Sequence, residues 1–209
     1  IIHALAHFQV TESMPRPTQA FIDRSALAHN LSIVRKFAQH SRIMAVVKAD
    51  AYGHGLLQTA QALKSVDGFA LLELDAAVSL RDAGYQQPIL LLEGFFSTQE
   101  LALFEQYHLS AVIHHHEQVA MLMASKHSQL NLFLKINTGM NRLGLLPEKV
   151  SAIINQLREN HYLKNITLMT HFASADDPSQ YESVIQQLQC FQQAAHSHAQ
   201  PCSLANSAA

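Results

Sequence analysis

Apolar residues in this chain fall into short, nearly uninterrupted runs, separated by longer stretches in which apolar positions recur every three or four residues. Runs of that kind predict strands buried on both faces, as in a parallel sheet, and the longer period predicts amphipathic helices. A short extended piece is expected at residues 19–22, with Asp23 capping a helix over residues 25–40. Strands are then predicted at 43–48, 68–72, 88–92, 110–113, 130–136, 166–170 and 202–205. Helices over 56–65, 75–83, 98–107, 117–125, 148–159 and 178–199 separate them, Gly84 ending the second of these.

Strands that alternate with helices point to the α/β class. Each strand is parted from the next by a helix, which fits a (β/α)8 TIM-type barrel better than an open sheet. An open doubly wound sheet would carry a GxGxxG turn, and none is present. The strands supply about seven of eight βα units, so an incomplete barrel is expected, with no further domain after it. Residues 15–209 form the barrel domain in this reading. Residues 1–14 are an N-terminal extension with no catalytic part, and they lack the basic leader of a secretory signal.

The composition narrows the function. Of 209 residues, 48% are hydrophobic and 14% charged, and the net charge is −2. There is no Lys/Arg run to hold nucleic acid or an anionic membrane, and no apolar stretch long enough to span a bilayer. Cys190 and Cys202 form neither a CxxC pair nor a zinc spacing, which suits free thiols in a reducing cytoplasm.

Strand ends of a barrel share one mouth, where such folds keep their chemistry. The run Ala45-Val46-Val47-Lys48-Ala49-Asp50-Ala51-Tyr52-Gly53-His54-Gly55 puts a lysine there. An ammonium closing a buried strand is costly unless it is paired, exposed, or converted to something neutral. A Schiff base with an aldehyde cofactor is such a conversion. The alternative is a lysine that snorkels into water. The tyrosine four residues on and the two glycines for a tight turn favour the first. Asn137-Thr138-Gly139-Met140-Asn141-Arg142-Leu143-Gly144 follows the fifth strand, and the Arg142 fork suits a carboxylate or phosphate, or is simply a surface charge. His171, in Thr170-His171-Phe172-Ala173, ends the sixth strand as a structural imidazole or one lying against an aromatic ring. Asn206-Ser207-Ala208-Ala209 offers a hydroxyl and backbone N–H groups where barrels often hold phosphate. The triple His114-His115-His116 is not expected to bind metal, because neighbouring side chains of an extended segment point to opposite faces.

Taken together, AVVKADAYGHG, NTGMNRLG, MTHFASAD and LANSAA resemble the alanine racemases, fold-type III pyridoxal-phosphate enzymes, in order and spacing. The phrases DGFALLELDAA and PILLLEGFF add to the resemblance, which covers about residues 15–209. It implies that Lys48 holds pyridoxal 5'-phosphate and is one catalytic base, that Tyr52 and Ser207 bind its phosphate beside Asn206, and that His171 packs against its pyridine ring. It implies that Arg142 holds the substrate carboxylate and that Lys135 matches a lysine carbamylated in some members. It further implies L-alanine/D-alanine interconversion for peptidoglycan in a bacterial cytoplasm, by a homodimer whose second base is a tyrosine from a C-terminal β domain. Little activity is therefore expected of this chain alone. Other readings are a single-domain pyridoxal-phosphate-binding protein without racemase activity, a decarboxylase of the same fold type, and an inert fragment.

Overall fold

A computed structural model describes residues 20–125, 130–159, 163–196, 198–206 and 208–209. All of the predicted extension, residues 1–14, and Ser207 thus lie outside the described residues. The chain runs α1 (Arg24–Phe37), β1 (Met44–Val46), a single turn α2 (Lys48–Gly53), α3 (Leu56–Ala62), β2 (Gly68–Leu71), α4 (Leu74–Asp82) and β3 (Ile89–Leu91). It continues through α5 (Leu101–Gln106), β4 (Leu109–Ile113), α6 (His116–Ala124), β5 (Leu130–Lys135), α7 (Val150–Arg158), β6 (Leu163–Met169), α8 (Tyr181–Ala195) and β7 (Cys202–Ser203). Asp23 caps α1 as predicted: one carboxylate oxygen accepts from the N–H groups of Ser25 at 2.8 Å and Ala26 at 3.2 Å. Three helices start later than the apolar period suggests, because Thr98–Glu100, Pro147–Lys149 and Pro178–Gln180 are 3-10 turns leading into α5, α7 and α8.

All seven strands are parallel and lie in sequence order from β1 to β7. Among the described residues β7 and β1 are not paired, so the sheet is a curled half-barrel open on one side. One contiguous apolar cluster lies between the sheet and its helices; Phe69, Ile89, Leu109 and Leu134 meet Leu80, Phe104, Leu122 and Ile154 in it. A second, smaller cluster lines the concave face: Ala70, Leu90 and Val112, with Met44, Leu92, Phe133 and Met169 packed on them.

Burial departs from the expectation of strands covered on both faces. β2, β3 and β4 are buried at every position, whereas β5 alternates and β1 is half exposed. The cause is the open curl. Central strands have helices outside and neighbours across the concavity, while strands nearer the opening have only the helices.

Candidate active site

The concave cluster sets the position of the mouth. Side chains two residues apart on a strand share a face. Counting two beyond Val112, Phe133 and Met169 reaches His114, Lys135 and His171, all half-buried at the strands' C-terminal ends. Pairing of Ile113 with Leu134 sets His114 beside Lys135, and pairing of Lys135 with Met169 sets His171 just beyond. β1 reaches the same place differently. Strand geometry stops at Val47, which is buried and whose N–H donates to the Ala70 carbonyl at 2.8 Å.

From there the backbone turns left-handed. Ala49, Asp50, Ala51 and Tyr52 all have φ between 51° and 56°, and none is glycine. A β-carbon crowds the following carbonyl in that conformation, at a cost of roughly 1–2 kcal/mol per residue. Four such residues cost several kcal/mol and persist only where the surroundings hold them. The Ala51 side chain is buried, and its N–H reaches the Val47 carbonyl at 3.0 Å. His54 Nδ1 lies 2.9 Å from the Ala51 carbonyl and 3.1 Å from that of Tyr52. The turn brings Lys48 and Tyr52 together, with Lys48 Nζ 5.9 Å from the centre of the phenol ring. The sequence predicts a tight strand-to-helix turn at the glycines; the structure instead makes the motif's own residues the turn.

Positive groups converge at this mouth. Burial pushes the Lys135 amine below the usual lysine range, and the charges of Arg142 and Lys48 push it further. The His171 imidazole is likewise lowered, first by burial and then by Lys135, Arg142 and Lys48. His114 is lowered by burial above all, against a raising contact with the Glu93 carbonyl; Lys135 adds to the lowering. The ion pairs described, Arg35 with Asp67 and His115 with Glu117, involve neither lysine nor Arg142. Such a group of charges is built to receive an anion.

Polar side chains buried behind the mouth fix its loops. Leu145 bridges back to Ile136, closing the loop that carries Arg142. Inside it, Asn137 Oδ1 accepts from the N–H groups of Gly139 at 3.2 Å and Asn141 at 3.0 Å. The buried Thr138 and Thr170 hydroxyls are 2.8 Å apart, and that of Thr170 donates to the Ile136 carbonyl at 3.0 Å. Gln187, buried on α8, accepts from Ala173 N–H at 2.9 Å; a β-carbon on Gly139 would lie 3.0 Å from its Cγ. Gln118, buried on α6, donates to the Glu93 and Phe95 carbonyls and accepts from His114 N–H.

The structure therefore gathers Lys48, Tyr52, Lys135, Arg142 and His171 about one opening. Asn206 lies behind it with its carboxamide engaged: Oδ1 accepts from the N–H groups of Ala208 and Ala209, both at 3.0 Å, and Nδ2 donates to the Phe172 carbonyl at 3.4 Å. The histidine triple is parted by the strand-to-helix transition. His114 faces the mouth, while the ligand atoms of His115, His116 and Glu117 come within 4.8 Å of one another, exposed. The extended geometry assumed for the triple ends at His115, the cap of α6. That helix end carries a partial positive charge that opposes a cation, and no metal site is assigned there. Sequence reasoning did not single out His114 alone, nor Thr138, Thr170, Gln118 and Gln187. The count of two along the strands would have found His114.

A curled parallel α/β half-barrel with two amines and a guanidinium gathered at the C-terminal mouth defines the class: a TIM-type barrel protein. The family profile described as alanine racemase, N-terminal domain, matches residues 22–209, and the chain belongs to that family. It is 59% identical over 197 residues to an alanine racemase of Nitrosospira multiformis, covering 94% of this chain and 55% of that one. The biosynthetic alanine racemase from Pseudomonas aeruginosa is 38% identical with a TM-score of 0.85, over 90% of this chain and 52% of that one. A histidine racemase from Leuconostoc mesenteroides gives 28% and 0.77, over 88% and 52%. The chain spans about half the length of the curated relatives it matches. No helix among the described residues is long and apolar enough to cross a membrane.

Proposed function

We propose that this chain is the barrel half of a pyridoxal-phosphate-dependent racemase that interconverts L- and D-alanine. The observation that carries the proposal is the convergence of Lys48 and Tyr52 with Lys135, Arg142 and His171 on one mouth. The donor set fits the cofactor. The Lys48 amine suits its aldehyde, the Tyr52 hydroxyl its phosphate, and the lowered His171, neutral at pH 7, suits stacking on its ring without adding charge. When bound, pyridoxal phosphate supplies an electron sink that acidifies the substrate's α-carbon.

The chain's own residues do the rest. Lys48 Nζ removes or returns the α-proton on one face. Arg142 presents its guanidinium fork to the substrate carboxylate. Lys135, its amine lowered by burial and neighbouring charge, is the lysine suited to carbamylation, and as a carbamate it orients Arg142. Asn206 Oδ1 accepts from the N–H groups of Ala208 and Ala209, and Ser207 is the hydroxyl assigned to the cofactor's phosphate in this reading. Residues 15–209 make up this barrel domain, and residues 1–14 take no part in the chemistry. The complete enzyme works in the cytoplasm as a homodimer and supplies D-alanine for peptidoglycan. Its second proton carrier comes from a part that its relatives have and this chain does not span. Alanine is favoured as substrate because the matched relatives are alanine racemases, the histidine racemase being the more distant.

The test is covalent trapping. The chain is mixed with pyridoxal phosphate, reduced with borohydride and mapped by peptide mass. The pyridoxyl group is expected on Lys48 and absent from Lys48→Ala. Labelling at other lysines that is undiminished in Lys48→Ala would remove the basis of the proposal.

A further inference from the structure

We infer that Asp50 is the positioning residue for Lys48: its side chain locks the left-handed turn that sets the amine in the mouth. The inference rests on the reading of Lys48 given above and extends it to a residue bonded to the backbone of the turn and of α3. Asp50 is the second of the turn's four non-glycine residues with positive φ, and aspartate enters that region more readily than most. It is bonded at both ends of its own residue. Its carbonyl accepts from Gly55 N–H at 2.9 Å, and its Oδ1 accepts from Leu56 N–H at 2.7 Å, across six residues. Leu56 opens α3, and Gly55 before it has no side-chain oxygen, so Asp50 is the side-chain cap of that helix.

α3 is thus anchored to the middle of the turn rather than merely following it. α3 in turn is fixed to the fold through Ala60 and Thr59, both buried. Loss of the Asp50 carboxylate would free the turn to relax toward the right-handed region. That change of hand would swing the face shared by Lys48 and Tyr52, four residues apart, away from the mouth into which the left-handed turn now directs it. The requirement is for an oxygen at that position and not for negative charge.

The prediction therefore separates two substitutions. Asp50→Asn keeps an acceptor oxygen in place without the charge. Asp50→Glu keeps the charge and moves the oxygen by one methylene. Two readouts are taken on the intact chain and on Asp50→Ala. One is the apparent Kd for pyridoxal phosphate, from the absorbance of the lysine-bound group. The other, which needs no cofactor, is amide hydrogen exchange at Gly55 and Leu56. Asp50→Ala and Asp50→Glu are expected to weaken binding about tenfold, as loss of a helix cap worth roughly a decade would, and to lose protection at both amides. Asp50→Asn should remain within about twofold of the parent in both. If Asp50→Ala does not fold by circular dichroism, the Asn and Glu variants decide by the same two readouts. The inference is overturned if Asn behaves like Ala, or if Glu or Ala behaves like the parent. Undiminished cofactor absorbance in Lys48→Ala would instead show that the Lys48 reading itself is wrong; exchange at Leu56 still judges the clamp.

Discussion

Lys135 is the residue on which the charges of the mouth converge. It lowers both His114 and His171, and it is itself lowered by burial, Arg142 and Lys48. Lys135→Met, which keeps the stem and removes the charge, should raise the titration midpoints of both histidines. Imidazole proton shifts in NMR would show the change, and midpoints that do not move would place Lys135 elsewhere. The sign for stability follows from the same direction. His171 in the fold binds a proton less readily than in the unfolded chain, so the unfolded state takes up more protons as pH falls. The stability lost begins to go below the ordinary histidine value, about 6.5, and is fully gone once pH has passed below the lowered folded value. His171→Phe should flatten that part of a urea-unfolding profile against pH. At this scale the sequence was partly legible. Lys48 stood out because a tyrosine and two glycines follow the amine that ends the apolar run, which by itself reads equally as a lysine reaching into water. His114 did not, because it stood beside two histidines that face the other way. Gln118 and Gln187 gave no signal in the sequence, since an amide carries no mark of whether its partners are water or backbone.

Elements were legible where the pattern was local. β2, β3 and β4 are continuous apolar runs buried throughout, and Asp23 capped the helix expected of it. The left-handed α2 was not legible: Ala49, Asp50, Ala51 and Tyr52 have ordinary local preferences, and their conformation is imposed by the Val47–Ala70 bond below and the Asp50–Leu56 bond beyond. The junction of β5 and β6 offers a direct test of how such constraints hold a loop. Thr170→Val keeps the shape of the side chain but strands the buried Thr138 hydroxyl and removes a donor from the Ile136 carbonyl. A loss of about 1–3 kcal/mol in denaturant midpoint analysis is expected. Thr170→Ser, which keeps the hydroxyl, should recover most of it, and equal losses in the two would assign the effect to packing.

At the scale of the molecule, the described residues form a half-barrel whose mouth gathers its amines from the strand side, and under the proposed function this limits what the chain does by itself. Inverting a carbon centre needs a proton carrier on each face, and in the proposed reaction Lys48 serves one. With pyridoxal phosphate and L-alanine in deuterated water, these 209 residues should exchange the α-hydrogen while leaving the handedness almost unchanged. Mass spectrometry and chiral chromatography read the two outcomes separately; D-alanine appearing as fast as deuterium would mean that both faces are already served. The order of seven parallel strands was legible, because a helix between each pair leaves few ways to connect them, whereas the accessible inner face of β1 and β5 followed from curvature that no single strand encodes. The concave layer of Val112, Phe133 and Met169 has a bearing on how this scaffold tolerates change. Point substitutions at the mouth leave the filler beneath them untouched, so new chemistry is within reach of single codon changes. A codon inserted between Phe133 and Leu134 is another matter: it rotates the amine outward among the helices and sends Leu134 into the opening in its stead.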